Sequence, residues 1–272
     1  MWKEENLEGD VYIVNQTMIK TLYKKLVPYR YRIAAIVAAK KLYGYWLYGH
    51  QVYCVCCGRS FRRFLAKGNG LEIRRNAECP SCGSLERGRL LYSYLREETD
   101  IFAGKPSILH ISPERCLKRL LIENPNYIDV DIDPLMARYV VDITAIPYVD
   151  QTFDYIICAH VLGHIKDEKR AIEELYRVLK IQGVAFILTL IDITAEQTRE
   201  DSLVKTSGQR LQQYGEVDLE RLHGLDFLER LQRADIMVEE IDYRDRFSMM
   251  DRKRLAFGDG RREFIYKCTR LA

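Results

Sequence analysis

The sequence predicts an α/β protein in which a doubly wound, mostly parallel sheet follows a small cysteine-rich module. Two observations carry this. From Pro106 onward, short β-rich runs alternate with helical ones, as expected of a parallel sheet covered on both faces. Ahead of that body the pattern C-x-x-C-G occurs twice, at Cys54 to Gly58 allowing for Cys56, and at Cys79 to Gly83. With 47% hydrophobic and 30% charged residues over 272 positions, the composition is that of a globular chain and excludes disorder and fibrous repeats.

The elements follow in order. Met18 to Tyr48 reads as two helical pieces broken near Pro28, with apolar and aromatic positions on one side and Lys or Arg on the other. Arg32, Lys40, Lys41 and Gly44 make this stretch a poor membrane span. The acidic, polar start from Met1 to Asp10 is not a signal peptide, so the protein is expected to be cytoplasmic. Ser84 to Glu98 has leucine and tyrosine at helical spacing and is expected to join the module to the body. In the body, SILHIS is a strand, PERCLKRLLIE a helix, NYIDVDID a strand and YVVDIT another. FDYIICAHV is the fourth strand, KDEKRAIEELYRVLK an amphipathic helix and GVAFILTLI a buried strand. A helix over 224–234, a strand near 236–243 and a last strand over 263–268 complete the chain. The organisation expected is a basic helical segment over 1–50, the cysteine module over 51–84, a connector over 85–105 and the α/β domain over 106–272. Charge follows it: residues 1–98 carry 17 Lys and Arg against 9 Asp and Glu, the rest 25 against 30.

The cysteines come first in chemistry. Each C-x-x-C turn presents two thiolates on one side of a tight loop, and the trailing glycine relieves the backbone. Two such knuckles, 21 residues apart, make a four-sulfur tetrahedral site, so Cys54, Cys57, Cys79 and Cys82 are the expected ligands of a structural Zn2+ in a zinc ribbon. Cys56 is expected to be a spare thiol. A closed site of this kind has no open position for substrate, and metal binding supplies folding free energy to a segment too small for its own core.

In a doubly wound sheet, ligands sit beyond the carboxyl ends of the strands, where the strand order reverses. The second strand ends in Asp129, Asp131 and Asp133, the third in Asp142, and the fourth in His160 with His164 one helical turn on. A carboxylate after the second strand can accept from a ribose diol, and one after the third from an adenine amino group. The first strand runs into Ser112, Pro113, Glu114, Arg115 and Cys116, without the glycines a phosphate cradle needs. Glu114 would repel a pyrophosphate but suits a cationic ligand. S-adenosylmethionine has adenosine, no phosphate, a sulfonium and an ammonium.

The run DITAIPYVDQTFDYIICAHVLGHIKDEKRAIEELYRVLKIQGVAFI resembles the core of the class I S-adenosylmethionine-dependent methyltransferases, whose sheet is Rossmann-like. More narrowly, CPSCGSLERGRLLYSYL, LHISPERCLKRL and GLDFLERLQRADIMVEEIDY are similar to a bacterial group that joins a zinc ribbon to this domain, with many members thought to act near cell-surface glycan synthesis. The resemblance covers roughly residues 50–270. It implies that Ser112 and Glu114 line the methionine end of the cofactor, Asp131 holds the ribose, Asp142 and Ile143 hold the adenine, and His160 lies beside the sulfonium and acceptor. This sequence departs from the family pattern in its first loop, which lacks the usual glycines. It also has Gly163 where a glutamate is usual, and Asp218, Leu219, Glu220 and Arg221 where the family has a histidine-containing pattern.

The activity expected is therefore O-methylation of a glycan or other small hydroxyl acceptor, with His160 or His164 as catalytic base. Asp226 and Arg221 are candidates for orienting that acceptor. The N-terminal basic helices are candidates for peripheral contact with a membrane or glycolipid. Two alternatives stand beside this: an RNA methyltransferase gripping RNA through the ribbon, with Phe61 and Phe64 as stacking residues, and a scaffold that keeps the fold without turnover. Nucleic acid is the less favoured partner.

Overall fold

The computed structural model describes residues 28–68 and 72–272. The chain divides into two units, one ending at Trp46 and one running from Leu47 to Ala272. The first contains α1 (Tyr29–Trp46), which begins directly after Pro28, with the Tyr31 amide donating to the Pro28 carbonyl at 3.0 Å. Proline lacks a donor and belongs at such a start. Apolar and basic positions of α1 are only weakly segregated about its axis, so the amphipathic surface expected here is not a feature of this half. The helical piece expected ahead of Pro28 lies outside the described residues. Among the described residues no helix is long and apolar enough to cross a membrane.

The second unit opens with two antiparallel hairpins, β1 (Tyr48–Cys54) with β2 (Arg59–Phe61) and β3 (Leu65–Gly68) with β4 (Ile73–Glu78). Each knuckle glycine takes the left-handed conformation, Gly58 at φ 68° and Gly83 at φ 74°. Their amides donate to the Cys54 and Cys79 carbonyls at 2.8 and 2.9 Å, so the two turns repeat in conformation as they do in sequence. Phe61 and Phe64 meet edge to face at 5.9 Å and are buried, which removes them as a platform for bases. They belong to a hydrophobic core that runs on through α2 (Glu86–Glu98) into the body. The cysteine module is thus part of one compact unit rather than an appendage.

The main sheet has seven strands in the order β10-β11-β9-β8-β5-β6-β7. β5 (Ile108–Ile111), β6 (Tyr127–Asp131), β7 (Tyr139–Val140), β8 (Phe153–Ala159) and β9 (Leu179–Leu188) are parallel. β11 (Ile265–Arg270) runs antiparallel between β9 and β10 (Ile236–Ile241). Side chains alternate across the sheet. Ile108, Ile157 and Phe186 face α2 and α3 (Arg115–Leu121), whereas Leu109, Ile156 and Ala185 face α4 (Glu168–Val178) and α6 (Phe227–Leu231). Strand order reverses between β5 and β8, and this gap defines the ligand crevice.

Four expectations change at the boundaries. The third strand shrinks to two exposed edge residues, with Asp142 beyond its end. The helix over 224–234 is the short turn α6, and the last strand is shifted two residues onward to β11. The polar stretches after β9 and β10 contain α5 (Ser207–Tyr214), opened by a Thr206–Gln209 capping box, and α7 (Met249–Leu255), capped by Ser248.

Arg89 on α2 has no exposed surface. Its guanidinium donates to the carbonyls of Ala77 at 3.0 Å and Ser84 at 2.6 Å in the module, and of Leu255 at 3.1 Å and Ala256 at 2.6 Å in the body. Without those donors the Ala77, Leu255 and Ala256 carbonyls lose their bond to α2, and the Ser84 carbonyl keeps the Cys79 amide at 2.9 Å. Arg89→Met is expected to lower the unfolding free energy by about 3–5 kcal/mol, read by urea denaturation.

Glu263 is buried and accepts from the amides of Gly260 at 2.8 Å and Arg262 at 3.2 Å. Burial pushes its carboxyl up to about 7. A raised carboxyl favours the fold below the ordinary carboxylate range and loses that contribution as pH climbs through about 7. Between pH 5 and pH 8 the wild type should therefore lose on the order of 3 kcal/mol relative to Glu263→Gln, measured by urea unfolding at both values.

Candidate functional site

The crevice at the reversal point is a cleft of about 700 Å³. Ser112 and His160, the first residues past β5 and β8, both adopt left-handed backbone conformations, at φ 47° and 58°. Each still ties into the sheet, Ser112 through its amide to the Val130 carbonyl at 2.8 Å and His160 to that of Leu188 at 2.7 Å. Such conformations cost on the order of 1 kcal/mol or more for residues with a Cβ, and they concentrate where the surroundings impose them for function.

Ser112, Asp131, Asp142, Ile143, His160 and His164 all line this one cleft. Asp131 is nearly buried and spends one carboxylate oxygen on the Asp133 amide at 2.8 Å, leaving the other without a hydrogen bond among the described residues. Asp142 uses one oxygen on the amide and hydroxyl of Thr144, at 2.8 and 2.7 Å. Each of these carboxylates retains an oxygen able to accept a hydrogen bond from a ligand. Asp129 points elsewhere. It is fully buried against Lys118 at 2.6 Å and Arg138 at 2.5 Å, which outweigh burial and hold its carboxyl below the usual range.

Glu114 does not line the cleft. It sits 3.3 Å from the Arg87 guanidinium and 3.7 Å from His110, and both of its oxygens are buried without a hydrogen bond, as is Arg87 Nε. Burial would raise this carboxyl, but His110 and Arg87 keep it lowered.

His160 is held well below its ordinary pKa by burial first and then by the charge of Arg87. It is therefore neutral at pH 7. Its Nε2 lies 2.9 Å from the Arg262 carbonyl, which only accepts, so Nε2 carries the proton and Nδ1 keeps a lone pair. His164 Nδ1 likewise donates to the Asp218 carbonyl at 3.1 Å, leaving Nε2 as acceptor. Both histidines also line a second, smaller cleft of about 220 Å³, whose other walls include Lys67, Arg87, Leu219 and Arg262. The two clefts therefore meet at His160 and His164.

The turn after β8 is clamped by residues 218–223. The Gly163 carbonyl accepts from the amides of Glu220 at 2.8 Å and Arg221 at 3.3 Å. Arg221 is buried, and its guanidinium donates to the carbonyls of Leu162 at 3.0 Å, Ile165 at 2.5 Å and Lys166 at 2.9 Å and to Glu200 at 2.7 Å. Beneath it, His223 Nε2 meets Glu168 at 2.6 Å, while its Nδ1 accepts from the Thr189 hydroxyl at 2.8 Å. Arg230 also pairs with Glu168. Arg221 is thus a brace for the turn, not a surface ion pair or an acceptor contact, and Asp226 closes a loop on Thr198 at 2.7 Å. The sequence offered Asp and His at strand ends as signals. The brace partners Glu168, Thr189 and His223 carry none, because they meet only in three dimensions.

The four knuckle cysteines bring their sulfurs within 4.8 Å of one another, with Cys54 to Cys82 at 3.5 Å and Cys57 to Cys79 at 3.8 Å. Sulfurs at the corners of a zinc tetrahedron with 2.3 Å bonds stand about 3.8 Å apart, so the set fits Zn2+. Cys56 turns away to the Gly88 carbonyl at 3.9 Å.

Residues 114–187 match the family described as "Methyltransferase domain". Among curated proteins, the chain is 31% identical over 97 residues to the ubiquinone/menaquinone biosynthesis C-methyltransferase UbiE of Xanthomonas oryzae, covering 36% of this chain and 33% of that protein. It is 26% identical over 116 residues to the protein of that name from Xylella fastidiosa, 42% of each. The chain spans less than half the length of these relatives. Among solved structures, it is similar to an S-adenosylmethionine-dependent methyltransferase from Mesorhizobium loti at 15% identity and TM-score 0.45, over 68% of this chain and 99% of that one. It is also similar to a methyltransferase-fold protein from Bacillus halodurans at 15% and 0.43, over 66% and 100%.

Two expectations follow. The purified protein should hold one equivalent of zinc by elemental analysis, and Cys79→Ser should lose it and unfold at lower temperature. A Cβ at Gly163 would stand 2.8 Å from Leu219 Cδ2, so the two departures from the family pattern fill each other's space. Gly163→Glu alone should destabilise by about 1–3 kcal/mol, and Leu219→His in the same chain should recover part of it, giving a non-additive double-mutant cycle by thermal melts.

Proposed function

We propose that this chain is an S-adenosylmethionine-dependent methyltransferase that O-methylates a glycan or other small hydroxyl acceptor. The observation that carries this is the convergence, on one cleft at the point of strand reversal, of Asp131, Asp142, Ile143 and the strained Ser112 and His160. The family match over 114–187 supports it. In this reading Asp131 accepts from the ribose diol, Asp142 and Ile143 hold the adenine, and the four-cysteine site holds structural Zn2+. The cofactor supplies a methyl group already activated by its sulfonium, so the protein's part is alignment, exclusion of water and removal of one proton.

His160 is placed for that proton. It stands where the two clefts meet, its Nε2 proton is committed to the Arg262 carbonyl, and Nδ1 is free to take the hydroxyl proton as the oxygen attacks. The second cleft supports a small acceptor, being narrow and polar. Its walls fall mostly outside the matched residues 114–187, so the match does not carry the relatives' acceptor over to this cleft.

Leu219 occupies the room a side chain at 163 would need, which favours a matched exchange over decay and weighs against the scaffold reading. The RNA reading keeps one supporting feature. A groove between β4 and α7 is lined by Arg62, Arg75, Lys253 and Arg254, and binding there would weaken steeply with salt.

Calorimetric titration with S-adenosylmethionine and S-adenosylhomocysteine tests the proposal. Micromolar binding, weakened at least tenfold by Asp131→Ala, is expected; a folded protein that binds neither overturns it. His160→Ala should lower kcat by about 10²–10⁴ while leaving cofactor affinity within threefold. Because His160 is held below its ordinary pKa, the wild-type rate should stay level from pH 8 to about 6.5 and fall only below that.

A further inference from the structure

The second cleft has a chemistry that the methyltransferase reading does not use. Four cations line it, Lys67, Arg74, Arg87 and Arg262, with Glu216 as the one lining carboxylate. Two of the four are satisfied within the chain. Arg74 pairs with Glu86 at 3.0 Å, and Arg262 with Glu216 at 3.2 Å and Glu72 at 3.3 Å. The other two are held by ion pairs alone. Arg87 pairs with Glu114, its buried Nε directed at that carboxylate at 3.3 Å without completing a hydrogen bond. Lys67 is 3.9 Å from Glu78, half-exposed, and comes from β3 of the cysteine module.

We infer that the acceptor is an anion, a small phosphate-bearing molecule such as a sugar phosphate, whose phosphate binds between Lys67 and Arg87 while its hydroxyl reaches His160. The inference rests on the proposed methyltransferase activity and names its substrate class. It makes the cysteine module one wall of the acceptor site. A guanidinium and an ammonium lining the same cleft suit a phosphate's several oxygens. Four lining cations against one lining carboxylate among the described residues give the cleft a positive balance that such a ligand offsets. The same charges act on the chemistry. Burial first, and then the charge of Arg87, keeps His160 free of its second proton, and that charge also stabilises an acceptor hydroxyl as it becomes an alkoxide. The proton passes from the hydroxyl to His160 Nδ1, the oxygen forms its bond to the methyl carbon, and the sulfonium leaves as the neutral thioether with the electron pair.

The test uses the full-length, zinc-loaded protein saturated with S-adenosylhomocysteine, titrated with inorganic phosphate and then glucose 1-phosphate by calorimetry. Saturable binding of both is expected, at least tenfold weaker in Lys67→Ala and in Arg87→Gln, with glucose at the same concentration not binding. Lys67 is half-exposed, so its variant keeps the fold even where Arg87→Gln leaves Glu114 short of a partner. Phosphate that does not bind, or binds equally well to both variants, overturns the inference while the cofactor site stands. Binding of an RNA dodecamer that is lost in Arg254→Ala but not in Lys67→Ala also overturns it, assigning the phosphate chemistry to the groove. A protein that does not take up S-adenosylhomocysteine brings down the methyltransferase reading and this inference with it.

Discussion

A guanidinium with no access to water has to be neutralised by dipoles, and Arg89 gathers four backbone carbonyls to do so. Two of them belong to the cysteine module and two to the turn that ends α7. The cysteine cluster shapes the loop that presents the Ser84 carbonyl, and Arg89 locks that loop to the body. Arg87 is two residues earlier on the same helix, and it lines the smaller cleft. The position of one wall of the site therefore depends on a buried ion whose partners are spread over 180 residues of chain.

A second constraint acts at the ends of β5 and β8. Ser112 and His160 are forced into left-handed conformations while their amides remain in the sheet. The strain is sustained by what lies behind it: the brace of Arg221 on three carbonyls of the following turn, and the buried Glu168, His223 and Thr189 beneath. The Arg262 carbonyl fixes the tautomer of His160, and burial followed by the charge of Arg87 keeps it neutral. Its capacity to accept a proton is thus a property of burial and neighbouring charge rather than of its place in the sequence.

Much of this was legible in the amino acids. Short, nearly continuous apolar runs located the central strands, because a strand buried on both faces has few alternatives. The repeated C-x-x-C-G predicted both the clustering and the glycine conformations, since four thiols and two tight turns constrain spacing directly. Asp131, Asp142 and His160 could be singled out because strand ends are where a parallel sheet places ligands. Glu114 could not be placed so, because its direction is decided by Arg87 and His110, residues that approach it only through packing. The same holds for Arg221, which the sequence offered as a contact for the acceptor and which is a buried brace. Phe61 and Phe64 looked exposed in a basic, polar segment, yet the module shares a core with the body and takes both rings into it. The short helices α5 and α7 did leave local signals, in their N-terminal caps, but lacked the apolar stripe by which longer helices are recognised.

The most direct test of the account is a crystal structure of the zinc-bound protein with S-adenosylhomocysteine. The account predicts the ribose on Asp131, the adenine beside Asp142 and Ile143, and the sulfur directed toward His160, at the mouth of the cleft walled by Lys67 and Arg87. Density for the ligand in any other position, or a ribose held by groups other than Asp131, would contradict it.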